Sequence, residues 1–298
     1  MDGERRAATL VGGIAILLWA LLAFLTAASG RVPPFQLAAM SFALGSLVGL
    51  ASLARPGRGF GVLRQRPAVW ALGVGGLAGY HVAYFTALRN APPVEAGLIA
   101  YLWPLLIVLF SALLPGERLR AHHVAGALLG LGGAALIVTG GGTVAFRTEH
   151  AFGYAMALLC ALVWSGYSVL SRRFDDVPSD VVTGFCIATA LVSLVAHLLF
   201  ETTVWPARAS EWLAVLGLGL GPVGLAFYVW DHGVKRGDIQ LLGALSYLSP
   251  LLSTLVLVLA GMARFDTTIA LACALITLGA VVAARDLLRR TPSAPRRS

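Results

Sequence analysis

The sequence predicts an all-α integral membrane fold of ten transmembrane helices in two inverted-topology repeats of five, and three observations carry that prediction. Hydrophobic residues make up 58% of the chain and charged residues only 12%, against about 25% charged in an ordinary soluble domain. The apolar residues fall in ten stretches, each near the ~20 residues that a helix needs to cross a hydrocarbon core. The stretch that begins Gly97-Leu98-Ile99-Ala100-Tyr101 and runs to Pro104 returns as Gly243-Ala244-Leu245-Ser246-Tyr247 running to Pro250, so the chain is built twice.

In chain order, the first span is Ala7–Ala28. It follows Arg5-Arg6 and ends on the small residues Ala27-Ala28-Ser29, as a secretory signal does. Its apolar run exceeds the ~7–15 residues of a signal's core, and it has a repeat partner further on, so it is expected to stay in the mature chain. The next four spans are Phe35–Leu53, Ala68–Leu88, Val94–Leu113 and Val124–Thr139. The second five are Phe152–Leu170, Val181–Phe200, Trp212–Val234, Ile239–Gly261 and Thr268–Ala284. Glu95, beside Arg89 and Asn90 across Pro92-Pro93, reads as a helix start with an acidic first turn.

Charge supplies the orientation. Of the 22 Lys and Arg residues, 17 lie in the N-terminal tail, in the loops after the second, fourth, sixth and eighth spans, and in the C-terminal tail. The other five loops hold one each, so both termini are expected in the cytoplasm, which an even number of crossings permits. The net charge of +8 is therefore read as an orientation signal and not as a nucleic-acid surface. Residues 291–298, rich in Pro, Ser and Arg, are expected to be a disordered basic cytoplasmic tail lying along anionic lipid.

Matches at a constant offset divide the chain. Trp19 pairs with Trp164 and Val32-Pro33 with Val177-Pro178 at 145, and Gly75 with Gly221, Gly97 with Gly243 and Gly133 with Gly279 at 146. One repeat is thus residues 7–140 and the other 151–285. Five crossings per repeat is an odd number, so the second starts on the opposite side from the first. Such halves let a single midplane site face either side in turn.

Ten helices in two inverted halves, a Trp in the first helix of each and a proline-bearing fourth helix in each resemble the drug/metabolite transporter superfamily in its EamA-type branch. The run Tyr101-Leu102-Trp103-Pro104 is similar to that of the YddG-type exporters of aromatic amino acids. The resemblance implies a basket-like bundle in the bacterial inner membrane, with a central cavity lined by the first, third and fourth helices of each half. It implies export of small amphipathic metabolites, aromatic and other amino acids foremost, by alternating access.

Spacing nominates the residues that face such a cavity. Gly73, Gly76, Tyr80 and Tyr84 share a face of the third span, with His81 and Phe85 one position round. With Trp19, Tyr101, Trp103, Trp164, Tyr167, Tyr228 and Tyr247 they form an aromatic enclosure, able to hold a planar side chain, to set an ammonium on a ring face and to donate to a carboxylate. Gly97 with Pro104 and Gly243 with Pro250 mark the bending points that open one side as the other seals.

Several residues admit a second reading. Trp70, Trp205 and Trp212 sit at span ends and read as an interfacial belt. Asp231 is an intramembrane acid, open to proton coupling or amine recognition, yet Lys235 at i+4 offers an ion pair. His81 could titrate as a coupling group or stay neutral in a hydrogen bond between helices. Gly126, Gly130 and Gly132-Gly133 would be the dimer face of a monomer or weak homodimer, or would pack internally.

Other classes lack their signatures. There is no GxxxxGK[ST] loop for ATP, no HExxH, and the three cysteines are scattered singly, so no cofactor, metal or disulfide framework is expected. Asp175-Asp176 follows Arg172-Arg173 and reads as a local ion cluster, which leaves a membrane-embedded lipid-processing enzyme without a metal-pyrophosphate site.

Overall fold

A computed structural model of the 298-residue chain describes residues 3–55 and 59–285. Ten helical spans follow one another: α1 Gly3–Ala28, α2 Pro34–Leu53, α3 Pro67–Asn90, α4 Pro93–Leu113, α5 Ala121–Thr139, α6 Thr148–Phe174, α7 Ser179–Phe200, α8 Ala209–Arg236, α9 Ile239–Leu259 and α10 Thr267–Ala283. The first nine are long and apolar enough to cross a membrane. α10 has 17 residues, about 26 Å of helix, close to the ~30 Å of a hydrocarbon core. The fold is all-α and integral to the membrane, and the tail 291–298 lies outside the described residues.

Helices pair mainly across the two halves: α1 with α8, α2 with α7, α3 with α6 and α5 with α10, while α4 packs chiefly against α6, α9 chiefly against α1, and α4 and α9 meet in a smaller contact. Under the repeat, α2 and α7, α4 and α9, and α5 and α10 exchange with each other, while the α1–α8 pair becomes the α6–α3 pair. The packing therefore obeys an approximate two-fold axis of the kind that inverted repeats create. At the α5–α10 crossing a Cβ on Gly126 would stand 2.6 Å from the Gly279 carbonyl oxygen, and one on Gly279 would stand 2.6 Å from that of Gly126. Only glycine permits this approach. The stripe considered as a dimer face is thus covered internally at Gly126, Gly130 and Gly133, and Gly132 alone meets nothing within 4 Å.

Four spans are interrupted. α1 breaks at Ala20-Leu21, α4 at Tyr101-Leu102 and α9 at Ser246-Tyr247, each dividing the span into separate helical segments. In α4 and α9 the break lies just before the proline, because proline has no N–H for the carbonyl four residues back, Ala100 or Ser246, and its ring crowds that carbonyl, while proline itself is tolerated in a first turn. Pro104 accordingly opens the helix Trp103–Phe110. α8 instead carries a π-helical turn over Gly221–Leu225, with Pro222 inside it.

The loops sort into two faces. On the basic face, which carries the N-terminus, Glu117 accepts from Arg5 and from Arg172, each at 3.0 Å. Arg5 also lies 3.7 Å from Asp238, and Arg172 donates to the Gly237 carbonyl at 3.0 Å. Arg172 is thereby drawn away from Asp175-Asp176, and Asp176 pairs with Arg66 at 3.1 Å, so the local cluster expected there is replaced by longer-range pairs. On the opposite face Glu201 accepts from the Phe35 and Gln36 amides at 3.0 Å each, from Arg89 at 2.7 Å and from His197 at 3.0 Å. A carboxylate at the N-terminus of α2 meets the free amides of that helix end and the positive end of its dipole. Arg89 is committed to Glu201, not to Glu95.

Candidate functional site

Between the halves, side chains of α1, α3, α4, α6, α8 and α9 enclose a cavity of about 160 Å³. Trp19 and Leu22 come from α1, Tyr80, His81 and Tyr84 from α3, and Gly97, Ala100, Tyr101 and Trp103 from α4. Trp164 comes from α6, Pro222, Val223 and Phe227 from α8, and Ser249 from α9. Tyr84 is six residues from the end of α3 and Gly97 four from the start of α4, so the cavity lies toward the face opposite the basic one.

The floor toward the basic face is a group of four tryptophans. The Trp19 ring lies 5.1 Å from Trp230, 5.8 Å from Trp164 and 6.1 Å from Trp103 between centroids, in tilted and edge-on arrangements. Such geometry aligns the positive ring edge with a negative ring face. The Trp19 indole N–H donates to the Pro222 carbonyl at 3.1 Å and that of Trp230 to Ser168 Oγ at 3.1 Å. The first bond gives a donor to a carbonyl within the π-helical turn of α8, where the regular ladder is interrupted. The Trp103 and Trp164 indoles make no hydrogen bond among the described residues and remain available to a guest.

One wall is set by α3. Tyr80 and Tyr84, one turn apart, stack with centroids 5.9 Å apart and planes 10° from parallel. His81 Nδ1 lies 2.8 Å from the Leu77 carbonyl. A carbonyl only accepts, so the proton is on Nδ1 and Nε2 presents a lone pair. Packing against Phe42 at 4.9 Å and Tyr80 at 5.1 Å fixes the ring. No carboxylate or permanently charged cation is among the described residues that line the cavity. The site offers aromatic faces, hydroxyl and indole donors and one imidazole acceptor, which suits a neutral or zwitterionic guest with a flat apolar part.

Gly73 and Gly76 pack under Phe185 and Tyr167, and Phe85 packs against Phe35, away from the cavity. Of the ten nominated tyrosines, tryptophans and histidine, seven, Trp19, Tyr80, His81, Tyr84, Tyr101, Trp103 and Trp164, lie on this wall. Three do not. Tyr167 is buried with its hydroxyl 3.5 Å from Asp231. Tyr228 turns toward α7, with its hydroxyl 3.2 Å from Thr183 Oγ1. The repeat offset that links Gly75 to Gly221 sets Trp230, not Tyr228, opposite Tyr84, and two helical positions are about 200° of rotation. Tyr247 is fully buried at the α4 break. Asp231 is 1% exposed and pairs with Lys235 at 2.9 Å, while Lys235 also donates to the Val177 carbonyl at 3.0 Å. The pair ties α8 to the α6–α7 loop outside the cavity. Of the bending points, Gly97 is on the wall, Pro104 and Pro250 are buried, and a Cβ on Gly243 would stand 3.2 Å from the Pro104 carbonyl oxygen where α4 crosses α9.

Spacing within single helices missed Trp230, which is fully buried and packs behind the cavity wall, and the wall residues Phe227, Pro222 and Ser249. A consistent use of the 146-residue offset would have found the first two, as the partners of Tyr84 and His81. Pro222 and Ser249 stood next to residues already singled out, Gly221 and Pro250.

Comparison with known proteins agrees with this architecture. The profile of the EamA-like transporter family matches twice, over residues 7–139 and 151–285. The aromatic amino acid exporter YddG of Ancylobacter novellus is 58% identical over 281 residues, covering 94% of this chain and 98% of that protein. The aromatic amino acid exporter YddG of Salmonella typhimurium is 27% identical, covering 83% of this chain and 86% of its own. A crystal structure at 57% identity superposes with a TM-score of 0.89, covering 94% of this chain and 99% of the other. The chain belongs to the EamA-like transporter family.

Proposed function

We propose that this protein is a secondary transporter that exports aromatic amino acids, and other small amphipathic zwitterions, from the cytoplasm of a bacterium by alternating access between its two repeats. The observation that carries the reading is the uncharged aromatic cavity between inverted halves. Support for the substrate class comes from the 58% identity to an aromatic amino acid exporter over nearly the whole of both chains. The repeat boundaries are residues 7–140 and 151–285, and the basic face, with both termini, is cytoplasmic. The cavity then lies toward the exterior, the state in which an exporter releases its cargo.

In this reading Trp103, Trp164 and Tyr101 receive the side chain and carboxylate of the guest, and the lone pair of His81 Nε2 accepts from its ammonium. The breaks of α4 and α9 bend as the halves rock. Asp231, held by Lys235 away from the cavity, serves the fold, and transport follows the solute's own gradient. The protein acts as a monomer in the bilayer. The test is counterflow: purified protein in liposomes loaded with unlabelled tryptophan, with labelled tryptophan outside. Accumulation above empty liposomes, unchanged by an imposed pH gradient, is the expected result; no accumulation by folded protein would overturn the assignment.

A further inference from the structure

The two halves carry the same Gly, Tyr and Pro in their broken helices, yet the structure uses the two tyrosines differently. Tyr101 faces the cavity. Tyr247, its partner 146 residues on, is fully buried, and its hydroxyl is inserted into the backbone of α4. That hydroxyl donates to the Tyr101 carbonyl at 3.2 Å and accepts from the Leu105 N–H at 3.2 Å. In an unbroken helix these two groups would bond to each other, since they are four residues apart. A side-chain hydroxyl placed between them forces the ladder open while leaving neither group unsatisfied.

The insertion has a built receptacle, and the other half lacks one. A Cβ on Gly130 of α5 would stand 2.5 Å from the Tyr247 ring, so glycine makes the room that the ring occupies. The repeat equivalent of Gly130 is Ile276, whose side chain packs instead against Gly133. Tyr101 therefore has no matching slot beside α10. We propose that Tyr247 is a positioning residue for the substrate cavity: by holding the α4 ladder apart at Tyr101, it aims Tyr101 and Trp103 into the cavity from a helix in the other half. This rests on the transport reading for its consequence, but the geometry it specifies is independent of transport.

Removal of the hydroxyl in Tyr247→Phe frees the Leu105 N–H to bond directly to the Tyr101 carbonyl. Pro104 still removes the bond to the Ala100 carbonyl, so the break narrows at Leu105 without disappearing, and the wall residues Tyr101 and Trp103 shift with it. Leu105→Pro provides the discriminating control. It deletes the N–H, and its ring clashes with the carbonyl four residues back, so the ladder cannot close. It also falls in the first turn of Trp103–Phe110, where proline is tolerated.

Two readouts separate the proposal from the transport reading. The first is a spin-label distance between exposed positions Val94 and Leu109, one on each side of the break, with the three native cysteines replaced by alanine. Tyr247→Phe is expected to lengthen it toward the ~22 Å of fifteen residues of straight helix, and Leu105→Pro in the same chain to return it to the wild-type value. The second is counterflow: Tyr247→Phe is expected to raise KM about tenfold with kcat within twofold, and the double variant to recover KM to within about threefold. An unchanged distance in Tyr247→Phe, or a changed distance that Leu105→Pro fails to restore in folded protein, would overturn the proposal. If no variant and no wild-type protein shows counterflow, the transport reading fails while the distance result still decides this one.

Discussion

Closure of the basic face should depend measurably on one carboxylate, Glu117. Its side chain is 7% exposed and accepts from Arg5 in its own half and from Arg172 in the other, at 3.0 Å each. When the halves separate on this face, the Arg172 bond breaks and the Arg5 bond does not have to. A charge-assisted hydrogen bond is worth ~1.5–3 kcal/mol when sheltered. Arg172 is 19% exposed, and the partial access of water reduces the expected loss in Glu117→Gln to about 1–2 kcal/mol. That corresponds to a shift of roughly 5–30-fold toward the state open on the basic face, since 1.4 kcal/mol is tenfold. Ser111, fully buried at the basic end of α4, provides the reporter as Ser111→Cys in a background without the native cysteines. The rate of labelling by a small maleimide reads the open population, and it should rise by that factor in Glu117→Gln. Equal rates within twofold, at equal melting temperature, would refute the argument that this carboxylate closes the face.

Two further outcomes concern stability. Glu201→Gln replaces a 3%-exposed carboxylate that accepts from two amides, Arg89 and His197, and should cost about 3–5 kcal/mol because it leaves buried donors facing an amide. Thermal unfolding in detergent should show a clear fall, whereas Arg66→Ala, in a pair whose side chains are 59% and 66% exposed, should leave it unchanged within error. Gly126→Leu sets a branched side chain where a Cβ alone would stand 2.6 Å from the Gly279 carbonyl oxygen. It should part α5 from α10 and lower folded yield, without altering the molecular mass measured by light scattering.

The fold was legible because bilayer physics leaves so little choice. A backbone in hydrocarbon must satisfy itself, so each apolar stretch of about twenty residues can only be a helix. The repeat offset identified which helices correspond, α1 with α6 and α3 with α8 among them, but not that α1 packs on α8 and α3 on α6. The cavity was legible through the aromatic positions of α3, α4, α1 and α6, because tyrosine and tryptophan are conspicuous away from the interfaces. What escaped was orientation within a helix. Tyr228 and Trp230 are two residues apart, and a one-helix view gave no reason to prefer either. The repeat sets Tyr247 and Tyr101 in equivalent places, yet Gly130 and Ile276, in helices distant along the chain, decide that only one of the two tyrosines is taken into the structure. Glu201 carried only His197, four residues before it, as a local signal, since its other partners come from α2 and α3.

The most direct test of the central claim is a structure determined with L-tryptophan at saturation. The account predicts density for one indole in the cavity against Trp103 and Trp164, with the amino group within hydrogen-bond reach of His81 Nε2 and no charged side chain in contact. Density for the ligand elsewhere, or a cavity that stays empty under conditions where binding is measured in solution, would contradict it.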